Sequence, residues 1–360
     1  MALTQIKFAP GIDKQDTKVG AQGRWVDSDN VRFRYGLPEK VGGWASLINE
    51  TIVGVVRRQL PFVDAEGNRY VALGTDKFLL LYFEGQLFDI TPFRFDSSNV
   101  QEQFLTSSVE TTNASTTITV TTKNGGAPVA HGLSVGDMVV FNNFAAGSSG
   151  ITPADLEDKV VQVITVPSTT TFTATIPNAA SATSSDGTVD IQPYAVVGPA
   201  EQSYGYGFGI STYGGVVTGG SDTGWGVAVA ASTQTLEPGL WSLDTFGNVL
   251  IATIANGRTY TWDSNIAAKF TTRASVNTTN FLTTLNPIAS RLSLVSPTTQ
   301  HLIHFGTCTT YNDASTQDDM FIRFSNNEEI NSYDVKATNT AGTFRLQDGT
   351  KIMGALTAKE

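Results

Sequence analysis

The chain has 360 residues, 16% of them charged, and a formal net charge of −10. At about 150 residues per domain the length predicts two or three domains with a substantial core. A single cysteine, Cys308, excludes an intrachain disulfide and a cysteine-rich metal site, and no apolar run reaches the ~18 residues of a spanning helix.

The charge is unevenly placed. Residues 1–94 carry 12 Lys and Arg against 11 Asp and Glu, and residues 258–360 carry nine of each. Residues 95–257 carry only Lys123 and Lys159 against 13 acids, and no arginine lies between Arg94 and Arg258. Counterion release on nucleic acid needs Lys or Arg in number, so this middle is not a phosphate-gripping surface. The opening, Met1-Ala-Leu-Thr-Gln-Ile-Lys-Phe-Ala-Pro10, lacks the apolar centre of a secretory signal.

In chain order, the first feature is basic and aromatic. Residues 23–44 hold Arg24, Trp25, Arg32, Phe33, Arg34, Tyr35 and Trp44. As a strand, Arg32 and Arg34 take one face and Val31, Phe33 and Tyr35 the other. The plain reading is an amphipathic edge strand. The functional one is a subunit interface, where Trp and Arg anchors are typical.

Strand signals then dominate. Thr51–Leu60, Arg69–Thr75, and a hairpin of Phe78–Phe83 and Gln86–Ile90 around Glu84-Gly85 form one group, stopped by Pro92. Residues 104–193 differ: of 90 residues, 27 are Ser or Thr and nine are charged. Thr117–Thr121, Met138–Phe141, Val160–Ile164 and Thr171–Ile176 read as strands of a small β-barrel or sandwich. Thr152 followed by Pro153 predicts one helical turn. Ser107–Thr117 and Asn178–Gly187 read as polar linkers. Residues 201–226, rich in Gly, Tyr and Ser, read as a flexible loop.

Gly239–Asp244, Val249–Ile254 and Arg258–Asp263 form a second strand group, with Asn256-Gly257 as its hairpin signal. Arg291–Val295, His301–Gly306 and Met320–Ser325 form a third. Short antiparallel strands recurring in this order resemble propeller blades. Lys351–Leu356 is strand-like, but no clear closing strand precedes Glu360. The predicted fold class is all-β, a propeller-like domain at residues 1–103 and 194–360 interrupted by a small β domain at residues 104–193.

Chemistry-bearing residues are few. His301 and His304, three apart on a strand, point to opposite faces and cannot share a metal. His131 packs its turn, and Cys308 lacks a base or helix start to activate it. Gly205, Gly207 and Gly209 mimic a dinucleotide pattern without its βαβ unit. Asp244 and Gly247 resemble a sialidase-type Asp box with one residue too many, a structural turn in any case. No catalytic triad, phosphate loop or metal-ligand cluster is evident, so neither enzyme activity nor cofactor nor metal is expected.

Several segments together resemble a known family. Pro10–Thr17, Gly23–Arg34 and Pro38–Trp44 look like the opening of bacteriophage virion structural proteins. Leu240–Ala252 with Thr259–Asp263 is similar to their middle, and Phe321–Ser325 with Ala337–Leu346 to a later part. His131–Asp137 and Phe172-Thr173 resemble the FCCH-type module of ubiquitin-activating enzymes, a likeness that does not imply that activity. The resemblance is to tail nozzle and packaged-DNA stabilisation proteins of short-tailed phages. It implies a β-propeller subunit of the virion tail, made in the host cytoplasm, that forms a ring, commonly of six copies. Its expected partners are copies of itself, the portal and adaptor, tail fibre proteins, and genomic DNA passing without sequence specificity. An acidic, arginine-poor wall would repel the duplex and keep the path slippery.

The residues allow two other readings. One is a glycan-binding adhesin in which Tyr204, Tyr206, Phe208 and Tyr213 stack on sugars. The other is a propeller glycosidase using Asp318, Asp319 or Glu328.

Overall fold

The computed structural model describes residues 9–48, 50–95, 105–145, 150–200, 217–218, 221–222, 237–276 and 287–357. The chain divides into two units, Met1–Asn49 and Glu50–Glu360. The fold is all-β, and the described helix amounts to Pro153–Leu156 (α1) and a 3-10 turn at Ala314–Thr316.

In the first unit Ala9–Ile12 (β1) runs parallel to Arg24–Trp25 (β2), and Val31–Arg34 (β3) pairs antiparallel with Leu37–Lys40 (β4). Tyr35 and Gly36 close that hairpin with φ of 52° and 79°, the left-handed pair of a type I′ turn. Among the unit's described hydrophobic residues only Ala21 is buried.

The second unit opens with a four-stranded antiparallel meander of Val56–Val63 (β5), Arg69–Thr75 (β6), Leu79–Phe83 (β7) and Gln86–Asp89 (β8). The first strand starts later than its sequence predicts. Gly54 takes φ 89° and the Asp76 carboxylate accepts the Val55 N–H at 2.7 Å, so the apolar run 51–55 is a turn leading into β5. Glu84 and Gly85, at φ 47° and 89°, form the expected two-residue hairpin.

The next seven strands build a barrel. They are Leu105–Thr111 (β9), Thr117–Asn124 (β10), Ala127–Pro128 (β11), Met138–Ala145 (β12), Lys159–Ser168 (β13), Thr171–Thr175 (β14) and Ser184–Pro193 (β15). Pairing runs β9, β10, β14, β13, β12, β15 and back to β9, a closed barrel of 6 strands with β11 appended to β10. Closure removes sheet edges that could template aggregation. Ile118, Val120, Val139, Phe141, Phe172, Val189 and Ile191 fill its interior, and Leu156 of α1 joins them. The Asp155 carboxylate fixes that turn, accepting the Thr152 N–H and hydroxyl at 3.0 and 2.7 Å.

Parts of the two stretches expected to be polar linkers, residues 107–111 and 184–187, belong to the strands that close this barrel. Ser107, Val109 and Thr111 point inward and are buried, while Thr106 and Glu110 face solvent. Threonine is a strong strand former, and buried hydroxyls with partners are tolerated inside, so polarity concealed the period-two pattern.

The barrel's entry and exit lie side by side. Phe93 bridges to Tyr194, and the Ala195 N–H donates to the Pro92 carbonyl at 2.9 Å. Asp89 organises this junction. It accepts the Thr91 N–H and hydroxyl on one oxygen, and the Tyr194 hydroxyl at 2.7 Å and Arg273 Nη1 at 2.9 Å on the other. Burial, then the Asp89 charge, pushes the Tyr194 phenol far above its ordinary value. Asp89→Ala is expected to cost about 2–4 kcal/mol, because Arg273 and Tyr194 lose their shared acceptor. Side-chain exposures of 28% and 23% for Asp89 and Arg273 hold the figure below that of a fully buried pair. A urea titration checks it, and a change under ~1 kcal/mol would show the junction to be held by packing alone.

After a short pair, Val217–Thr218 (β16) with Ser221–Asp222 (β17), two further antiparallel meanders follow. Trp241–Phe246 (β18), Val249–Ile254 (β19) and Thr259–Asp263 (β20) form one. Ser290–Val295 (β21), Leu302–Thr307 (β22), Phe321–Phe324 (β23) and Gly342–Arg345 (β24) form the other. Asn256, at φ 59°, supplies the left-handed residue of the β19–β20 turn. Gly257 is needed instead for close approach: it bridges to Ser290, and a Cβ there would sit 3.1 Å from the Ile254 side chain.

The meanders stack like blades. Strand β18 packs against β5 and β6 on one side and β21 on the other. The main core gathers Tyr70, Leu79 and Leu81 from the first blade with Trp241, Leu250, Tyr260 and Trp262 from the second. Ile251, Val295 and Leu302 join the second blade to the third. Residues 351–357 are not a strand. They form an extended tail held by the Ile352 N–H on the Asp319 carbonyl and by Lys351 on Glu237, 2.8 Å apart.

Candidate subunit interface

The seven nominated residues fall in the first unit, where two short paired sheets enclose almost nothing. An isolated two-stranded hairpin is marginal in water, because one layer cannot bury its apolar face. Among its described residues the unit therefore carries apolar surface with only Ala21 buried.

Local contacts hold its shape. Arg24 Nη1 pairs with Asp13 at 2.8 Å, and that hydrogen bond lowers the Asp13 pKa. Lys14 lowers that of Asp27 in the same way at 3.0 Å. Arg32 Nε binds Glu39 across the hairpin at 3.1 Å, and Glu39 raises the Arg32 pKa. Trp25 and Phe33 rings meet at 6.4 Å between centroids, and both are half-buried. The structure therefore brings Trp25 to Phe33 and commits Arg24 and Arg32 to intrachain pairs.

The predicted division of strand faces needs one correction. Val31 and Phe33 are half-buried and Arg32 and Arg34 exposed, but Tyr35 does not share the Phe33 face. It occupies the turn, where left-handed backbone lifts it off the strand, and it is 92% exposed with Arg34 5.5 Å above its ring. Trp44, after Gly42-Gly43, is fully exposed. Leu37 and Leu47 are also largely exposed. Leu37 in β4 and Val41, Trp44 and Leu47 beyond it lie on a stretch whose charges are Glu39 and Lys40 alone, and this spacing of apolar residues was a usable sign in the sequence.

The residues of the rival readings are placed differently. Tyr204, Tyr206, Phe208 and Tyr213, and the loop expected at 201–226 apart from β16 and β17, lie outside the described residues. Asp318 accepts the Met320 N–H at 2.9 Å and the Arg345 guanidinium at 2.7 Å. The amide and the guanidinium, in that order, lower its pKa and keep it ionised as a structural clamp. Glu328 sits exposed in a turn at φ 58°. Asp244 lies within β18, not in an Asp-box turn, and accepts the Val295 N–H of the next blade at 2.7 Å. Among the described residues no group of three or more His, Cys, Asp or Glu could hold a metal ion.

The histidines and the thiol are internal. His304 is buried between Ser290 and Tyr333, with ring nitrogens 3.1 and 2.7 Å from their hydroxyls. His301 is half-buried beside Phe324. The His131 ring accepts the Leu133 N–H at 2.8 Å. Burial raises the Cys308 pKa, leaving an inert thiol.

Several acids of the charge-biased middle bind within the chain. Glu157 accepts the Asn143 and Phe144 N–H groups, Asp190 holds Thr106 and Asn143, and Glu237 bridges Lys351 and Arg291.

No protein-family model matches this chain, and no curated protein matches it. Among solved structures one similar chain is the phage phi92 endosialidase, at 16% identity and a TM-score of 0.21. The match covers 85% of this chain and 38% of that one, so this chain spans well under half of its length. A superposition this loose establishes neither a common fold nor a common activity.

Proposed function

We propose that this protein is a non-enzymatic structural subunit of a bacteriophage tail that assembles with copies of itself into a ring. The observation that carries the reading is the first unit: paired strands that bury only Ala21 among their described hydrophobic residues and present Tyr35, Leu37, Trp44 and Leu47 to solvent. Aromatic, apolar and arginine side chains of this kind are what subunit contacts use. The motif resemblance supplies the setting, a tail nozzle below the portal and adaptor, with docking places for fibres. The arginine-free acidic middle supports a conduit wall that does not hold DNA.

Native mass and low-resolution imaging test the proposal. The wild-type chain is expected to form a ring with a central hole, and a lone 38.4 kDa species would overturn the reading. Trp44→Glu with Leu37→Glu is expected to weaken assembly by about 30-fold or more, as loss of one aromatic anchor costs ~2 kcal/mol or above. Both positions are exposed, so far-UV circular dichroism should not change.

A further inference from the structure

The second unit has an unfilled apolar cleft of about 720 Å³ where the first blade meets the barrel. Phe78, Leu80 and Leu87 come from the blade, and Met138, Val160 and Ile164 from the barrel. Val53 and Ile164 are half exposed at its rim. The volume lies within the usual range for a site that buries a compact apolar group.

The charges of the two units are opposite. Residues 1–49 carry seven Lys and Arg against five acids, a net of +2, while residues 50–360 carry 16 against 28, a net of −12. Among the described residues, Arg34 and Lys40 of the first unit and Glu50 at the cleft rim make no ion pair. A contact of first unit to first unit would gain nothing from this asymmetry, whereas first unit to second unit gains attraction over a Debye length.

We infer that the first unit of one copy docks on the second unit of a neighbouring copy, with Trp44 entering the cleft between blade and barrel. This deepens the ring-subunit reading and rests on it. The contact joins unlike surfaces, so it propagates head to tail and closes into a ring when the rotation allows. A second groove, along β5, β18 and β21, is about 770 Å³ and is lined by Arg58, Glu237, Asp244 and Arg291, as the cleft is by Glu50, Asp89, Asp155 and Lys159. Links from position 44 to residues 237–244 or 291–294 would overturn the cleft as the receptor.

The test replaces Trp44 with the photo-crosslinker p-benzoylphenylalanine in assemblies mixed from ¹⁴N and ¹⁵N full-length chains. Mass spectrometry is expected to find links from position 44 to peptides holding residues 78–87 or 138–164, joining light to heavy chains. Links only within one chain, or from position 44 to another first unit, would overturn the inference while the intact ring left the subunit reading standing. Failure of the wild type to assemble would overturn both. Val53→Glu with Ile164→Glu, at exposed rim positions, is expected to abolish assembly as fully as Trp44→Glu, and raising salt from about 0.05 to 0.5 M to weaken it. Retention of the ring by the rim variant would overturn the cleft as the receptor.

Discussion

Trp241→Ala is expected to destabilise the blades by about 3–5 kcal/mol, in line with large-to-small changes at well-packed aromatic sites. Trp241 is 3% exposed, and its indole N–H donates to the Thr75 carbonyl at 3.0 Å, which ties the second blade to the first. The contact leaves no room for adjustment. A Cβ on Gly74 would lie 2.7 Å from the indole, so the first blade presents bare backbone to the ring. Removing the ring opens a cavity that rigid β6 and β18 cannot close, and strands the carbonyl. Trp241→Phe keeps much of the volume and loses the hydrogen bond, for an expected cost of about 1–3 kcal/mol. Urea unfolding followed by Trp262 fluorescence, in a background with Trp25, Trp44 and Trp225 changed to Phe, measures both, because residues 104–193 contain no tryptophan and the signal excludes the barrel. An alanine variant within ~1 kcal/mol of wild type would show that blade stacking does not run through this contact.

Acid is expected to loosen the third blade well above the pH at which carboxylates titrate. Burial, then the Arg323 charge, lowers the His304 pKa from 6.5 to about 3. The groups around the ring are Ser290, Tyr333 and Arg323, with Tyr311 stacked on the guanidinium at 3.9 Å, and none supplies a negative charge. The sign follows from proton counting. Above pH 6.5 neither state binds a proton at this ring. Below it the unfolded chain takes one up while the folded chain stays neutral down to about 3. Stability therefore falls with pH across that window, with a limiting slope of about 1.4 kcal/mol per pH unit. His304→Gln, which can still reach both hydroxyls, is expected to flatten the profile between pH 6.5 and 4.5, above the range in which Asp and Glu contribute. Chemical denaturation at a series of pH values measures this, and equal slopes for variant and wild type would exclude His304 as the source.

Much of this architecture was legible in the order of residues. Period-two runs broken by Gly, Asn and Asp marked most blade strands near their true limits, β5 and β24 excepted, and Glu84-Gly85 announced its hairpin. Short apolar strands advertise themselves because a half-buried sheet demands alternation. The barrel was half legible: Val- and Phe-rich strands stood out, while β9 and β15 hid behind Ser and Thr. The interface segment was legible as a composition and not as a geometry, since nothing in Val-Arg-Phe-Arg-Tyr announces that Tyr35 will adopt φ 52°.

By itself the sequence determined most strand-forming segments, the acid excess of −11 in residues 95–257, and the density of Trp and Arg near the start. These are properties of single residues and near neighbours, on which propensity and hydropathy act directly. Only the tertiary structure decided that two polar stretches close a barrel, and that Asp89 serves three separated segments. It alone decided that Gly74 lies under Trp241, and that the first unit buries almost none of its described residues. Each of these is a meeting of residues distant in sequence, and such contacts depend on which surfaces the folded sheets bring together.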